Sequence, residues 1–562
     1  SYALVLATEA DSLGKIQFEM LEGMANHQRR ALHELTKSVL LYAPACQKQD
    51  FIHAIGYLVR RLDENTGDEN FLRHAFNITV ESDAWKLLEA GFLASFERLD
   101  ELSAEPRRQQ DRRRGNVKES TGVATTAGGV AGTTHGDCWH GFVNEPDTDF
   151  SLPANSLWAD QIVDQWIGKC GDQAEDVPLF IGSELVTDQR VVQESLDPSR
   201  DGTVIARYVE ANANDVKAAV EIAAQDVSGW RSLSADQRRH VLRNVADEVR
   251  SARGALMGAA LAEGGKTLLE SDPEVSEAID FLEFYSLSAI ALHDLEGVTA
   301  KGRGVVVVVS PWNFPIAIPC GGIAAALAGG NCVILKPASN TVLIANLLCE
   351  CFYRAGVPRE ALQLLPCPGR DVGESLVTNR LVDTVILTGG TDTALKMLRA
   401  KPDMRLLAET GGKNATIVTA MADRDQAIKH VLQSAFGHSG QKCSATSLLL
   451  LEEEVFNDEA FRATLVDAAK SLKVGSAWDT SNRMGPMIAP PSGDLNKALK
   501  ELETGESWAL IPRRIDGHQA VYSPGIKWNV QRGSYTHLTE FFGPVLGVMC
   551  FRSLSEAIQI VN

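Results

Sequence analysis

Three segments of the chain carry side chains whose types suit chemistry on a carbonyl group. A thiol, Cys443, lies in the glycine-punctuated stretch Phe436-Gly-His-Ser-Gly-Gln-Lys-Cys-Ser-Ala445. A carboxylate, Glu409, precedes two glycines, and a side-chain amide, Asn313, lies between Trp312 and Phe-Pro. A thiolate that attacks an aldehyde needs an oxyanion donor, and the thioester left after hydride transfer needs a base that activates water. The segments therefore predict aldehyde oxidation, with Cys443 as nucleophile, Glu409 as base, and the Asn313 amide with the Cys443 backbone N–H as oxyanion donors.

Each of these residues taken alone also fits an ordinary structural role. Asn313 is typical of a turn, Glu409 before two glycines is typical of a solvated helix end, and Cys443 in a polar loop can be an inert thiol. Their order and their neighbours favour the catalytic interpretation. In that interpretation Gly411 and Gly412 leave Glu409 room to swing.

The elements that must position these residues alternate short apolar runs with helical patterns. Five consecutive valines, Val305 to Val309, predict a buried strand of a parallel sheet. Cys332 to Leu335 and Val382 to Leu387 predict further strands, and Ile323 to Leu327 and Thr341 to Tyr353 predict helices between them. This repeated βαβ order predicts an α/β fold with a doubly wound sheet of the nucleotide-binding type.

Length and composition narrow the class of protein. A chain of 562 residues has room for about two to four domains, and its net charge of −19 argues against nucleic acid as the main partner. The ten cysteines have no paired spacing, which predicts free thiols in a reducing compartment and no metal site. There is no signal-peptide pattern and no apolar run long enough for a transmembrane segment, so we expect a cytoplasmic protein.

The front of the chain differs in character from the rest. Residues 1–102 are predicted to open with a strand, Ala3 to Ala7, followed by amphipathic helices. Residues 103–154 contain an arginine-rich run, Arg107 to Arg114, and a Gly/Thr-rich stretch, Thr121 to Gly136. The arginines could bind an anionic partner, but a solvated linker is the favoured interpretation.

Four motifs in this order resemble the motif set of the aldehyde dehydrogenase superfamily. They are Ser310-Pro-Trp-Asn-Phe-Pro315, Glu409-Thr-Gly-Gly-Lys413, Gly440-Gln-Lys-Cys443 and Glu540-Phe-Phe-Gly-Pro544. The resemblance implies the same roles for the thiol, the amide and the carboxylate, and it implies a nicotinamide dinucleotide as hydride acceptor on a βαβ unit that lacks a GxGxxG fingerprint.

The resemblance also implies which residues hold that cofactor. Lys336 would donate to the hydroxyls of the adenosine ribose, and Glu540 would accept from the nicotinamide ribose. Leu387-Thr-Gly-Gly-Thr391 follows a strand and opens a helix whose N-terminal amides suit a pyrophosphate, although a plain strand-to-helix turn explains it equally well. The other residues implied at the site are Trp312, Pro337, Gly389, Gly390 and Phe542.

Two positions depart from the family pattern. Gly390 stands where the family often has Ser, and Ser339 stands where NAD-preferring members often have Glu. A carboxylate at that second position would repel a 2′-phosphate, and Ser339 would not. We therefore predict NAD as the cofactor and leave NADP open.

One helix in the front segment carries a second candidate site. Tyr57, Arg60, Arg61 and Glu64 fall at spacings that share roughly one side of a helix. Two adjacent guanidinium groups suit bidentate capture of a carboxylate. The residues alone favour a solvated helix edge on which Glu64 is the intrahelical partner.

A second resemblance changes that interpretation. Phe18-Glu-Met-Leu-Glu-Gly-Met24, Tyr42-Ala-Pro44 and Tyr57-Leu-Val-Arg-Arg-Leu62 resemble the last strands and helix of a proline dehydrogenase barrel, a TIM-like fold. Asn144-Glu-Pro-Asp-Thr-Asp149 and Ser151-Leu-Pro-Ala-Asn155 resemble the connector of bifunctional proline utilization A proteins. The resemblance implies that Tyr57, Arg60 and Arg61 hold the proline carboxylate over FAD.

The two resemblances together imply a division of the chain and a substrate. The implied parts are 1–102, the end of a proline dehydrogenase barrel; 103–154, a linker; 155–408, the NAD-binding part; and 409–562, the catalytic part. The implied substrate is L-glutamate γ-semialdehyde, which equilibrates with pyrroline-5-carboxylate and is oxidised to glutamate, with Ser444 near its α-carboxylate. For the full protein the resemblance implies a homo-oligomer that contacts a membrane peripherally through quinone reduction.

The chain begins and ends inside apolar patterns, so we expect it to be an interior stretch of a longer protein. We therefore expect no proline oxidation by this chain alone and regard its semialdehyde oxidation as open. Two alternatives remain: an aldehyde dehydrogenase for a different aldehyde, and a non-catalytic binding or assembly module.

Overall fold

The computed structural model divides the chain into two compact units, Ser1–Arg107 and Arg108–Asn562. The boundary falls inside the predicted linker, while the four-part division stays a prediction. Within the part of the chain that the structure describes, no helix has the length and apolar character needed to cross a membrane. The residues described are 2–21, 26–43, 46, 51–67, 70–74, 78–97, 108–114, 142–188, 190–515 and 517–562.

The first unit combines helices with two paired strands. Its described elements are α1 (Tyr2–Glu9), β1 (Phe18–Leu21), α2 (Asn26–Thr36), β2 (Val39–Tyr42), α3 (Phe51–Thr66), α4 (Phe71–His74) and α5 (Asp83–Glu97). Strands β1 and β2 are parallel and are joined through α2, which is the connection that parallel strands require. The predicted strand at Ala3 to Ala7 is wrong, because this run lies within α1. Four of its five residues are Ala or Leu, which suit a helix by propensity, and a short apolar run has no period that separates the two states.

The second unit combines helices with two five-stranded sheets whose strands are mainly parallel. Its helices are α6 (Pro153–Trp166), α7 (Ala213–Gln225), α8 (Ala235–Ser251), α9 (Arg253–Gly264), α10 (Leu268–His293), α11 (Ala317–Ala328), α12 (Val342–Arg354), α13 (Val372–Thr378), α14 (Thr391–Ala400), α15 (Arg424–Phe436), α16 (Glu453–Phe456), α17 (Glu459–Ser471), α18 (Gly493–Ala498), α19 (Tyr535–Leu538) and α20 (Leu554–Val561). Its strands are β3 (Glu175–Val177), β4 (Phe180–Ile181), β5 (Glu184–Leu185), β6 (Val192–Leu196), β7 (Val204–Val209), β8 (Val305–Val309), β9 (Cys332–Lys336), β10 (Leu362–Leu364), β11 (Thr384–Gly389), β12 (Leu406–Thr410), β13 (Ala415–Val418), β14 (Leu448–Glu452), β15 (Ser507–Leu510), β16 (Gly525–Trp528) and β17 (Val545–Phe551).

The doubly wound sheet predicted from the sequence is confirmed. Its order is β10-β9-β8-β11-β12, and all of its strands run parallel. From β8 the chain winds outward to β10 on one side and then to β12 on the other, so the topological switch point lies at β8 and β11. Ligands of such sheets bind at the carboxyl ends of the strands at this point. The strand predicted at Val382 begins two residues later, at Thr384.

The valine strand β8 is apolar throughout because both of its faces are buried. Val306 and Val308 pack into a core that includes helices α8 to α12, while Val305 and Val307 pack into a second core on the opposite face with α7. A strand covered on both sides has no polar face, so an unbroken apolar run is the expected sequence.

A second sheet, of order β13-β14-β17-β16-β15, stands in the same unit. Its strands are parallel apart from the antiparallel pair β15 and β16. The segments with the candidate nucleophile and with Glu540 enter β14 and β17 at their amino ends, so two of the family-like motifs meet at one edge of this sheet.

Part of the predicted linker is packed within the second unit, since Gln110, Asp111 and Arg112 are half-buried while Arg108 and Arg113 stay exposed. The Arg112 backbone N–H donates to Asn155 Oδ1 over 2.9 Å, and Arg112 Nε donates to Thr148 Oγ1 over 3.1 Å. Thr148 is buried, and its N–H donates to Asp272 Oδ2 over 2.6 Å. These hydrogen bonds tie the end of the arginine run to α10. The stretch Thr121 to Gly136 lies outside the described residues.

Candidate active site

The first sheet carries the predicted site residues along the carboxyl ends of its strands. Asn313 follows β8, Lys336 is the last residue of β9, Gly390 follows β11 and Glu409 lies near the end of β12. Because carboxyl ends of parallel strands share one edge, the sheet brings these four segments to the same side.

Asn313 joins the loop after β8 to the segment of the candidate nucleophile. Its side chain is buried, with 4% of its surface exposed, and its Nδ2 donates to the backbone carbonyl of Gln441 over 2.9 Å. Gln441 precedes Cys443 by two residues. The structure therefore brings the predicted oxyanion donor beside the segment of the predicted nucleophile, with its amide hydrogen-bonded to protein.

The turn before Cys443 has an unusual backbone. His438, Ser439 and Gly440 have φ of +51°, +54° and +72°, and left-handed conformations of non-glycine residues persist only when their surroundings hold them. Ser439 Oγ donates to the Gly485 carbonyl over 2.7 Å. A β-carbon on Gly440 would lie 2.4 Å from the carbonyl oxygen of Gly543, so only glycine fits. The turn thus lies directly against the Glu540 motif.

Cys443 is also fixed to the strand that follows Glu409. Asn414 Nδ2 donates to the Cys443 carbonyl over 2.5 Å and to the Ala445 carbonyl over 3.2 Å. Glu409 itself is exposed and lies within β12, so the alternative of a solvated helix end is wrong. A carboxylate near the end of a strand and open to water suits a base that activates water.

Glu540 fills the space over the glycines that follow Glu409. A β-carbon on Gly411 would lie 2.0 Å from a Glu540 carboxylate oxygen, and the Gly412 N–H donates to Glu540 Oε1 over 3.1 Å. These glycines therefore accommodate Glu540, and the room that they would leave for Glu409 to swing stays a prediction. Burial raises the pKa of Glu540, while the Gly412 N–H and the charge of Lys413 act in the opposite direction.

Lys413 is a buried lysine that the sequence did not single out for a role. Its Nζ is buried without a hydrogen-bond partner among the described residues and lies 4.3 Å from the centroid of the Phe541 ring. Burial and the nearby charge of Lys527 lower the pKa of Lys413 to about 7. Its position behind Glu540 was not visible in the sequence, because Phe541 and Lys527 are remote along the chain.

The predicted cofactor residues lie in or after strands of the two sheets, where the structure shows the surroundings of each. The Trp312 ring packs edge-on against Phe542 with centroids 5.6 Å apart, which makes an apolar wall. Lys336 Nζ donates to the Pro337 carbonyl over 3.3 Å, and Ser339 beyond it is exposed. The N-terminus of α14, at Gly390, carries no side-chain cap, so its amides are open to an anionic group. The roles of these residues toward a cofactor stay predictions.

A cavity of about 810 Å³ lies beside the two central segments. Its wall includes Phe314 and Lys442, the chain neighbours of Asn313 and Cys443. Burial lowers the pKa of Lys442, as does Lys266, while Glu270 acts in the opposite direction. The charged residues of the lining are Glu270, Glu274, Glu277, Asp425, Lys429, Lys442 and Arg483.

Cys443 differs from most of the other described cysteines in its exposure. Cys443 is half-buried, whereas burial raises the pKa of Cys332 to about 12 and that of Cys351 to about 11. The described cysteines that are fully buried are Cys320, Cys332, Cys349, Cys351 and Cys367. A buried thiol with a raised pKa reacts slowly, because the thiolate is the nucleophile.

In the first unit, the arginine pair makes the intrahelical contacts that the residues alone suggested. Arg61 Nη1 lies 2.9 Å from Glu64 Oε2, and Arg61 Nε donates to the Tyr57 hydroxyl over 3.1 Å. Arg60 lies 5.7 Å from the centroid of the Tyr57 ring. The roles of Tyr57, Arg60 and Arg61 toward a substrate stay predictions.

Comparison with known proteins identifies two families along the chain. Residues 186–562 match the aldehyde dehydrogenase family model, and residues 1–74 match the proline dehydrogenase model. A 1-pyrroline-5-carboxylate dehydrogenase of Geobacillus sp. (strain WCH70) is 32% identical over 445 residues, which are 75% of this chain and 84% of that protein.

Two solved structures support the same assignment. Proline utilization A (PutA) from Corynebacterium freiburgense aligns with a TM-score of 0.72 and 34% identity, over 100% of this chain and 49% of that one. This chain therefore spans about half the length of that protein. A 1-pyrroline-5-carboxylate dehydrogenase from Thermus with bound NAD aligns with a TM-score of 0.69 and 30% identity, over 75% of this chain and 84% of that one.

Proposed function

The chain belongs to the aldehyde dehydrogenase family, and we propose that its second unit oxidises L-glutamate γ-semialdehyde to glutamate with NAD. The observation that carries the proposal is the hydrogen bond from Asn313 to the Gln441 carbonyl, which brings an amide donor beside the segment of Cys443. The similarity to 1-pyrroline-5-carboxylate dehydrogenases selects the substrate, since pyrroline-5-carboxylate is the cyclised form of the semialdehyde.

The proposed reaction uses one group from each of three segments. The Cys443 thiolate forms a bond to the aldehyde carbon, and negative charge develops on the former carbonyl oxygen. Asn313 Nδ2 leaves the Gln441 carbonyl and donates to that oxygen. NAD supplies the hydride acceptor when bound. Glu409 takes a proton from the water that hydrolyses the thioester and releases the acid.

The chain's own residues would hold the dinucleotide along the first sheet. Lys336 would donate to the adenosine ribose and Glu540 would accept from the nicotinamide ribose. The open amides at Gly390 suit the pyrophosphate, and Trp312 with Phe542 would form a wall. Ser339 has no charge that would reject a 2′-phosphate, so NADP is proposed as a weaker second cofactor.

We propose that Lys442, one of three cations in a cavity lining that also carries four carboxylates, receives the carboxylate of the substrate. Lys442 supplies a cation at the cavity wall, and the exposed hydroxyl of Ser444 lies next to Cys443 along the chain. A cation at this position favours the semialdehyde over an uncharged aldehyde, because only the semialdehyde can form a charge-assisted hydrogen bond with it.

Steady-state and single-turnover assays on the purified chain test the proposal. We expect NADH formation with the semialdehyde and no NADH with Cys443→Ala. Glu409→Gln should give a burst of about one NADH per active site and then stop, because that variant can form the thioester but not hydrolyse it. Alkylation of Cys443 should outpace that of the buried cysteines and be slowed by the aldehyde.

Different results would favour the other functions. Reduction of NAD with a neutral aldehyde but not with the semialdehyde would point to another substrate. Uniformly slow alkylation with no NADH from any aldehyde would point to a binding or assembly module.

For the first unit we propose a role within a proline dehydrogenase domain that holds FAD. Its support is the match of residues 1–74 to that family and the resemblance of the Tyr57, Arg60 and Arg61 helix to the family's carboxylate-binding helix. In a protein with the whole barrel, Arg61→Met should raise KM for proline at least tenfold, because a charged hydrogen bond is lost. An unchanged KM would show that Arg61 only pairs with Glu64.

The wider cellular roles are also proposals. We propose a cytoplasmic homo-oligomer that transfers electrons from the flavin to membrane quinone through peripheral contact. Light scattering on the protein, and flotation with quinone-containing vesicles in the presence and absence of proline, test these two properties separately.

A further inference from the structure

A buried ion pair lies directly behind the loop that carries Asn313. Lys266 Nζ lies 2.7 Å from Glu274 Oε2, and the two side chains are 1% and 0% exposed. Lys266 lies two residues before the start of α10, and Glu274 lies in its second turn. Burying two charges costs free energy that pairing alone often fails to recover, so their other contacts explain what the pair does.

Lys266 contacts the turn at the backbone of Asn313 itself. Its Nζ donates to the backbone carbonyl of Asn313 over 2.8 Å. The same ammonium lies 4.3 Å from the centroid of the Phe314 ring, a cation–π distance. Lys266 therefore fixes the peptide plane that follows the Asn313 Cα.

Glu274 contacts the same loop where it enters helix α11. Its Oε1 accepts from the N–H of Ile316 over 2.6 Å and from the N–H of Ala317 over 3.2 Å. These amides begin α11 and have no intrahelical partner, so a carboxylate there is favourable. One ion pair thus holds the loop at two points, the carbonyl of Asn313 and the amides of Ile316 and Ala317.

We propose that Lys266 and Glu274 are positioning residues that fix the Asn313 backbone, so that only its side chain moves to meet the oxyanion. This inference rests on the proposed function of the second unit. In the structure the Asn313 amide donates to the Gln441 carbonyl, and it must leave that oxygen to serve the reacting one. An oxyanion donor works only within hydrogen-bond distance of the developing charge, and a displacement of about 1 Å can cost about a hundredfold in rate.

Hydrolysis of para-nitrophenyl acetate tests the proposal without reference to the natural aldehyde. In that reaction Cys443 Sγ bonds to the acetyl carbon, the carbonyl oxygen becomes an oxyanion, nitrophenolate leaves, and water hydrolyses the acetyl thioester. Lys266→Met with Glu274→Met removes the pair without leaving one charge unpaired. We expect this double variant to lower the rate about ten- to a hundredfold, and Glu274→Gln, which keeps an oxygen for the Ile316 and Ala317 amides, to lower it less.

The decisive comparison repeats the double variant in an Asn313→Ala background. If the pair acts through Asn313, the further loss there should be less than about twofold, since contacts that act as a unit are not additive. An equal fold-loss in both backgrounds would overturn the proposal, because a merely structural role does not depend on Asn313. The matched control is Arg253→Met with Asp272→Asn. That buried pair, 2.8 Å apart, also involves α10, and its other polar partners are Glu145, Thr148 and Ser276.

Hydrogen exchange separates this inference from the function it rests on. The amides of Ile316 and Ala317 should exchange faster in the double variant and at the wild-type rate in the control pair. Unchanged exchange would refute the positioning role. If the wild-type chain hydrolyses the ester no faster than Cys443→Ala, the proposed function fails, while faster exchange would still show that the pair holds the loop.

Discussion

The carboxylate of Glu540 lies so close to Gly411 that a β-carbon on residue 411 would come within 2.0 Å of a Glu540 oxygen. The neighbouring N–H of Gly412 donates to the same carboxylate. The absence of a side chain at Gly411, two residues after Glu409, therefore allows the Glu540 carboxylate to lie against the end of strand β12. This contact links the proposed base and the proposed ribose acceptor through the backbone.

Gly411→Ala should displace Glu540 and weaken cofactor binding. We expect KM for NAD to rise about tenfold or more, because a charge-assisted hydrogen bond contributes about 1.5 to 3 kcal/mol, with a smaller change in KM for the aldehyde. Initial-rate kinetics and NAD titration by fluorescence measure the effect. Gly168→Ala is the matched control, since its β-carbon would meet its nearest atom, Gln173 Oε1, at 3.9 Å. An unchanged NAD affinity would remove Glu540 from the cofactor site.

Ser339→Glu should sharpen the choice between the two nicotinamide cofactors. A carboxylate three residues beyond Lys336 would repel a 2′-phosphate and accept from ribose hydroxyls. We expect kcat/KM with NADP to fall at least about tenfold, with NAD kinetics nearly unchanged. Ser339→Gln, which has the same size and no charge, is the control. Equal effects of the two variants on NADP would mean that bulk and not charge decides.

The sequence predicted the parts of this fold that depend on local patterns. The valines of β8 and the paired glycines at the end of β11 have local signatures, so the doubly wound sheet and its turn at Gly390 were found. The opening helix α1 was missed because a short apolar run has no clear period.

The contacts within the site were predictable only in part. Cys443, Asn313 and Glu409 were singled out through their motifs and their roles stay predictions, but the bond from Asn313 to Gln441 joins residues far apart along the chain. Lys266 gave no signal, since a lysine before a helix cap is normally solvated. Long-range packing decides such burial, and neither spacing nor propensity encodes it locally.

Lys413 should make the stability of the second unit depend on pH. Its pKa is about 7 in the folded chain against about 10.4 when unfolded, so between these values the unfolded state binds the extra proton. Stability should therefore rise with pH across this window, by up to about 1.4 kcal/mol per pH unit. Lys413→Met removes that term. Its advantage over wild type should be largest near pH 7 and shrink toward pH 10.

Urea unfolding at several pH values measures the Lys413 effect. The exposed Lys500 provides the control, because Lys500→Met should leave the pH dependence of wild type intact. A stability difference between Lys413→Met and wild type that stays constant from pH 7 to pH 10 would show that the buried amine is not neutral in the folded chain.

Lys442 should give the substrate affinity its own pH dependence. The cavity beside Cys443 has Lys442 at its wall, and burial lowers the pKa of this lysine. If its ammonium binds the substrate carboxylate, KM for the semialdehyde should rise as pH increases through that lowered pKa, at a lower pH than for an ordinary lysine. Lys442→Met should raise KM about tenfold or more and abolish this pH dependence, while ester hydrolysis by Cys443 continues. Lys429→Met, at an exposed position of the same cavity, should change neither, and a pH-independent KM in the wild type would assign carboxylate recognition to other groups such as Ser444.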